Sequence, residues 1–472
     1  MQDVILTKVT RAIDVLTQTA DEYEGLIPSI LDLKTAKMMT DLPAPIPGQR
    51  KGDRSHLGSN LIHDETLLAT MYALSSALNR RDLAEAADRY IKRFATHCTN
   101  TVTGLFPWGE HAYWHLVDDN IGNSSRLHDP ESTNPAIHDH LRLAPVWLWE
   151  KLFEFYPKCV ERFAEGLDYH WKRMFHPEYS RHGEIEVKER PEIWDGCSFD
   201  FPRHGGFYIL DWAFAYLKTG RRDFREQIVR MLGVWGKHRY SDGLLPYCSR
   251  CKKIVTAFYR VHACGQTMGL AASLLDTARL LQDTEPDLAS KMRREGVAYA
   301  TAFVEAPHDL AEGVFLLGFK PNDPERTLAM PVWGSRYGVW PVAPPALLCL
   351  SAYRHTEDEK FLRWAETVGR FHLSEPFPRD IATPANDVGL ALGLLADLYE
   401  ITGDKTWRDG GLNMATTLLD VYMDNDIPRG AAGIDWYESQ MGPAFLLHGL
   451  ARIALLADGR EKCPVEADYT TR

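Results

Sequence analysis

Two short stretches load histidine, arginine and tyrosine onto the starts of apolar runs. "SFDFPRHGGFYILDW" sets Asp200, Arg203 and His204 ahead of one run, and "TAFYRVHACGQTM" sets Tyr259, Arg260 and His262 ahead of another. A neutral histidine takes up protons near pH 7. A tyrosine gives one up, and a neighbouring cation such as Arg260 eases that by lowering the phenol pKa. These are the residue types of general acid–base catalysis. The plain alternatives are a helix-start histidine bonded to backbone at 204, a packing tyrosine at 259 and a core histidine at 262.

Further polar and aromatic residues gather in long connecting segments, among them "TGLFPWGEHAYWHLVDDN", "MPVWGSRYGVWPVAPP" and "IPRGAAGIDWYESQMGP". Indole rings beside acids, histidines and arginines suit sugars, whose C–H faces stack while hydroxyls bond to polar groups. Trp108, Glu110, His111, Arg203, His262, Arg336, Tyr337, Trp436, Tyr437 and Glu438 are the expected substrate contacts; the alternative is that the tryptophans fill a large core. Other segments of this kind, "IWDGCSFDFPRHGG" and "PANDVG", carry Asp195, Asp200 and Asp387. With Glu110 and Glu438 they keep a glycoside hydrolase open, which needs two carboxylates about 5–5.5 Å apart for retention or about 6.5–9.5 Å for inversion. A sugar epimerase with His204 and His111 as its two bases is a further option.

Metal ligation is the lesser expectation. His138 and His140 in "AIHDHLRL" are two apart, the spacing of a strand or loop chelate, and His63 with Asp64 forms another pair. There is no HExxH, and capping by Asp64 and Asp139 is the plainer role, so no metal and no cofactor is expected. Cys248 and Cys251 have CxxC spacing but lack the second pair that a structural zinc site uses. No Gly-rich phosphate loop is present.

The elements that must position these residues repeat. An apolar-periodic helix, a short break with Gly, Asn or Thr and an Asp, then a striped helix with a charged face recur in "LLATMYALSSALNRRDLAEAADRYIKRFATHC", "FYILDWAFAYLKTGRRDFREQIVRMLGVWGKH", "LLCLSAYRHTEDEKFLRWAETVGRFH" and "GLALGLLADLYEITGDKTWRDGGLNMATTLLDVY". Looser copies lie at 145–170 and 263–304. The Asp in each break is an expected N-cap. Helices apolar all round belong inside and striped ones outside. Six hairpins leave a striped helix near 3–24 and an apolar one near 442–457, which together make a seventh. The expected fold is all-α: an α/α toroid, (α/α)7, with (α/α)6 as the smaller alternative, in one domain over 1–472. An open helical scaffold is the competing architecture, but a final helix so apolar is a poor cap. In a toroid the long segments all emerge at one mouth, where a rigid scaffold positions them for function.

Composition narrows the partners. The 472 residues carry a net charge of −12, which argues against a nucleic-acid ligand. No apolar run reaches the roughly 18 residues of a membrane span, the first residues read as an amphipathic helix and not a signal peptide, and a cytoplasmic location is expected. An anion would have to be held by local Arg and His clusters.

The hairpin layout, with "FPRHGG" and "AFYRVH" opening consecutive inner helices, resembles the α/α-toroid carbohydrate-active enzymes. Among them it is most similar to the (α/α)7-barrel alginate and glucuronan lyases. The likeness covers nearly the whole chain, as architecture. It implies a Tyr/His acid–base pair, here Tyr259 and His204, and an Asn or Arg that neutralises the uronate carboxylate, here Asn134 with Arg260 beside the tyrosine; Asn60 and Asn120 are the other amides. The implied substrate is a uronate-containing oligo- or polysaccharide. β-Elimination removes the C5 proton, which is acidic enough only when the carboxylate charge is met.

Overall fold

The computed structural model describes residues 2–109, 111–124, 137–140, 142–173, 178–189, 200–248, 260–457, 460 and 462–472. Fourteen α-helices are formed among them. They are α1 (Gln2–Asp21), α2 (Leu61–Leu78), α3 (Arg81–Arg93), α4 (Val146–Phe155), α5 (Pro157–Gly166), α6 (Pro202–Thr219), α7 (Arg222–Gly236), α8 (Cys264–Leu281), α9 (Pro286–Val304), α10 (Ala343–Thr356), α11 (Glu359–Ser374), α12 (Ala385–Thr402), α13 (Lys405–Tyr422) and α14 (Pro443–Ala457).

They pair as the repeats require. Six hairpins run from α2/α3 to α12/α13, and α14 packs on α1 to make the seventh. The leading helices touch one another in sequence, α6 on α8, α8 on α10, α10 on α12, α12 on α14, and α14 returns to α2. Helix α4 completes the circle through its tryptophans: Trp147 Nε1 donates to Glu65 of α2 at 2.9 Å and Trp149 Nε1 to Asp211 of α6 at 3.0 Å. The chain is therefore an (α/α)7 toroid.

Burial follows the hydrophobic pattern. Every residue of α6 from His204 to Ala215 is buried, as is every residue of α14 from Leu446 to Leu456. The outer helix α3 buries only a stripe, Leu83, Ala86, Ala87, Tyr90 and Ile91. Four hairpin turns pass through a left-handed residue, Asn79, Gly220, Glu357 and Gly403, a conformation that glycine and asparagine reach most cheaply. Asp358 and Asp404 cap α11 and α13 by accepting from the Lys360 and Thr406 amides. At α3 and α7 the expectation shifts by a position or two: Asp82 and Asp223 sit inside the first turn and pair with Arg80 and Arg221, which hold the cap sites.

The long segments contain short strands that helical periodicity does not announce. β1 (Ile30–Asp32) pairs antiparallel with β9 (Trp436–Glu438), joining the two ends of the ring. β2 (Gly58–Ser59), β3 (Ala112–His115) and β4 (Asn120–Asn123) form a small sheet, β5 (Trp171–Arg173) pairs with β6 (Glu178–Tyr179), and β7 (Phe315–Lys320) with β8 (Asp323–Met330). Residues 462–472 run inside the ring. Tyr469 donates to Asp397 of α12, Asp468 accepts from Thr66 of α2, and Arg472 donates to Ser273 of α8. Among the described residues no helix is long and apolar enough to cross a membrane.

Candidate active site

Three pieces of backbone meet near the start of α6 and carry histidines into one place. The first is β3, which begins just after His111. The second is the extended segment 137–140. The third is 183–185, which pairs with it through Asp139 N to Gly183 O and Ile185 N to Ile137 O, both 2.9 Å. An extended chain alternates its side chains, so His138 and His140 share one face while Asp139 turns to the other. There Asp139 Oδ1 accepts from the Gly183 amide at 2.8 Å and Oδ2 lies 3.3 Å from His170 Nε2, both side chains fully buried. Gly183 has no room for more: a Cβ would sit 2.8 Å from His170 Nε2.

The histidine rings lie close together. Centroids of His111 are 4.9 Å from His138, 5.0 Å from His140 and 4.9 Å from His182; His138 and His182 stack at 4.5 Å; His140 is 5.7 Å from His204. His204 occupies the first turn of α6, stacked on Phe201 at 5.5 Å, and is 1% exposed. Neither of its ring nitrogens has a hydrogen-bond partner among the described residues. Burial, then the neighbouring Arg203, Arg181 and Arg142, push its pKa well below the usual histidine value. Burial and positive neighbours act the same way on His111 and His182, and they bring His63 down to about 3. All of these imidazoles are neutral at pH 7.

The counterpart is a concentration of guanidinium groups in an acidic protein. Arg181 lies 4.7 Å over the Phe201 ring and Arg203 4.6 Å over Trp340. Burial, against the help of Asp53, pulls Arg142 down to about 10; burial, then Arg142 and Arg181, pull Arg203 down to about 9. Arg50 reaches Asp53 at 3.1 Å and stacks 5.0 Å over Tyr337. Asp53 is pushed up by burial although Arg50, Arg142 and Arg181 all favour its charge. Tyr337, 61% exposed, is the rim: its phenol acts electrostatically on Arg142, Arg181 and Arg203. The loop that carries it is anchored by Asp387, which accepts from the Ser335 amide at 2.7 Å and hydroxyl at 2.6 Å.

His204, Arg203, His111 and Tyr337 are thus brought together. Tyr259, Asn134 and Glu110, with Trp194, Asp195 and Cys251, lie outside the described residues. Arg260 is exposed at a left-handed φ of 53°. His262 turns to Asp242, 2.6 Å away, and stacks on Tyr240. Trp108 is wholly buried among Phe106, Trp149 and Phe163, a packing position and not a stacking platform. Glu438 is consumed by bidentate bonds from Arg54 and further donors on Gln49 and Trp436. Tyr437 is fully buried beside it, and Trp436 is spent holding its carboxylate. Arg336 is exposed at the turn before Tyr337. Asn60 serves as the N-cap of α2. Residues not anticipated are Arg50, Asp53, Arg142, Arg181 and His182. One signal was present: "RHG" occurs twice, at Arg181–His182–Gly183 and Arg203–His204–Gly205, and both copies enter this cluster.

A separate cavity of about 1040 Å³ is bounded by Tyr72, Trp147, Arg279 and residues 464–470. None of His111, His138, His140, His182 and His204 lines it; Arg472, which does, donates to Asp276 and accepts from Arg203.

No protein-family model matches the sequence, and no curated protein matches it significantly. Solved structures do match. A sugar epimerase from a ruminal bacterium has 13% identity and a TM-score of 0.49, with 78% of this chain and 86% of that chain covered. An unsaturated glucuronyl hydrolase specific for heparin has 12% identity and a TM-score of 0.47 over 97% and 99% of the two chains. A D-mannose isomerase has 9% identity and 0.46 over 96% and 97%. These are carbohydrate-active enzymes of the α/α-toroid class, and no site residue is carried over from them.

Proposed function

We propose that the chain is an enzyme that cleaves a uronate-containing oligo- or polysaccharide by β-elimination, with His204 as the base. The observation that carries this reading is a cluster of buried histidine rings with Arg142, Arg181 and Arg203 close enough to act electrostatically on His204. A sugar carboxylate set against Arg142, Arg181 and Arg203 loses the charge that otherwise keeps its C5 proton from leaving. His204, on the first turn of α6 beside Arg203, takes that proton. The incoming anion also cancels part of the field that depresses His204, so its basicity rises when substrate is bound. The proton donor to the 4-oxygen is a tyrosine: Tyr259, next to Arg260 in sequence, or Tyr337, which faces the same arginines.

Two-base proton transfer, as in epimerisation, is the second reading. It is favoured by His111 and His204 both contacting the His140 ring, at 5.0 and 5.7 Å. A two-carboxylate hydrolase fits the same fold; with Glu438 and Asp387 held by Arg54 and Ser335, its acids would be drawn from Asp200 and from Glu110 and Asp195, which lie outside the described residues.

Incubation with a panel of polyuronates while following ultraviolet absorbance of the conjugated uronate separates these chemistries. Elimination creates that chromophore; hydrolysis and epimerisation do not. Activity should vanish in Tyr259→Phe or in Tyr337→Phe, which assigns the acid. New reducing ends without absorbance would overturn the lyase.

A further inference from the structure

We propose that His111, His140 and His182 form a binding site for a divalent transition-metal ion of the zinc class. One ring nitrogen from each lies within 4.8 Å of the others. Metal–nitrogen bonds of about 2.0–2.1 Å in a tetrahedron place ligand atoms roughly 3.4 Å apart. The ligand atoms therefore need to close by up to about 1.4 Å, which small side-chain rotations supply.

The surroundings are those of a built site. His111 sits in the turn that opens β3, where its carbonyl accepts from the Ser124 amide, and His140 and His182 come from two segments joined by backbone hydrogen bonds. His111 Nδ1 lies 3.9 Å from Asp53 Oδ1, beyond hydrogen-bond reach, and the small ring rotation that metal binding needs would let this carboxylate orient the ring. His182 Nε2 is buried without a hydrogen-bond partner among the described residues, and its ring is backed by His138. Burying such a nitrogen unpaired is costly, and a metal bond removes the cost.

Three neutral ligands leave coordination positions open, the pattern of a reactive centre and not of a structural one. Arg50 and Arg181 oppose a cation here, and Asp53 offsets only part of that. The ion should therefore bind better with an anion beside it, and a sugar carboxylate bridging it to Arg181 would be neutralised from both sides. That role rests on the uronate reading; the metal site itself does not.

The test uses the full chain without a histidine tag. The protein is stripped with chelator, dialysed, and titrated with Co²⁺ while visible absorption and calorimetry are recorded. Expected are one equivalent of Co²⁺ per chain, visible bands of a four- or five-coordinate nitrogen site, and displacement by Zn²⁺. His140→Ala and His182→Ala should each weaken binding at least tenfold. His204→Ala, which removes no ligand, should leave it unchanged. Circular dichroism melts show whether each variant is folded, and the wild-type titration stands even if one is not. The proposal is overturned if the wild type takes up no Co²⁺ at micromolar concentrations, or if folded His140→Ala and His182→Ala bind as well as wild type. No sugar enters the titration, so the site can stand where the lyase reading fails, and fall where it holds.

Discussion

His204 is a base whose strength depends on what lies beside it. In the free protein its pKa is held well below the usual value by burial and by three arginines. Acid inactivation should therefore be absent from kcat/KM down to low pH as far as His204 is concerned. It should appear in kcat, falling as pH drops through the raised pKa of the complex. His204→Ala should cut turnover by about 10²–10⁴-fold with little change in substrate affinity, because the lost interaction belongs to the transition state. Arg181→Met should do something different. A charged hydrogen bond to the carboxylate contributes about 1.5–3 kcal/mol, so kcat/KM should fall roughly 10–100-fold, in part through a higher KM. Steady-state kinetics over a pH series checks both; a His204→Ala enzyme with wild-type turnover would remove the base. At this scale the sequence was only half legible. His204 and Arg203 stood out because they open an apolar helix. Arg181 and His182 sit in a loop with no helix behind them, and only the repeated Arg-His-Gly could have flagged them. The glycine of each copy has a spatial reason: a Cβ on Gly205 would meet Trp235 Nε1 at 2.4 Å.

At the scale of elements, helix and strand contacts decide which loop residues join the histidine cluster. Trp108 and Glu438 look alike in sequence to Tyr337, each an aromatic or acid in a long loop. What separates them is a partner far away in the chain, Trp149 for one and Arg54 for the other, and no local pattern reveals such pairs. The helices were legible because their 3.6-residue period is long and strong; the short strands were not, because two to four paired residues leave too little alternation to detect. One buried group tests how the first hairpin is held. Asp64 in the first turn of α2 accepts from Tyr90 of α3 at 2.8 Å, and burial raises its pKa to about 7. A raised carboxyl pKa stabilises the fold fully below the unfolded value of about 3.9 and loses that contribution as pH rises toward 7. With a shift of about three units the loss amounts to up to about 4 kcal/mol. Asp64→Asn keeps an acceptor for Tyr90 and carries no charge. It should match wild type near pH 4, exceed it in stability at pH 8, and flatten the dependence between, as read by urea unfolding at each pH. A variant that shows the wild-type slope would place the titration elsewhere.

For the whole molecule, closing the ring demands that its inner helices fit side by side with no slack, and the tightest place is beside the closing helix. On α12, a Cβ at Gly389 would lie 2.3 Å from the Leu446 amide nitrogen and 2.5 Å from the Phe445 carbonyl oxygen of α14. Gly449 of α14 answers it, since a Cβ there would lie 2.6 Å from the Gly389 oxygen. Both obstacles are backbone, so neither helix yields by turning a side chain; the helices must part. One turn further along α12, Gly393 would direct a Cβ into open space with nothing within 4 Å. The two positions form a matched pair on one helix with the same change in intrinsic propensity. Gly393→Ala should be neutral or stabilise by up to about 1 kcal/mol, the helix-propensity difference. Gly389→Ala gains the same propensity and should still destabilise by about 3 kcal/mol or more, because overpacking against backbone cannot relax locally. Because α14 also carries α1 and returns to α2, that cost should appear as a lower urea midpoint for the entire chain and not as a local fraying of α12. Equal midpoints for the two alanine variants would mean that α12 and α14 are farther apart than this geometry requires, and the ring would have to be closed elsewhere.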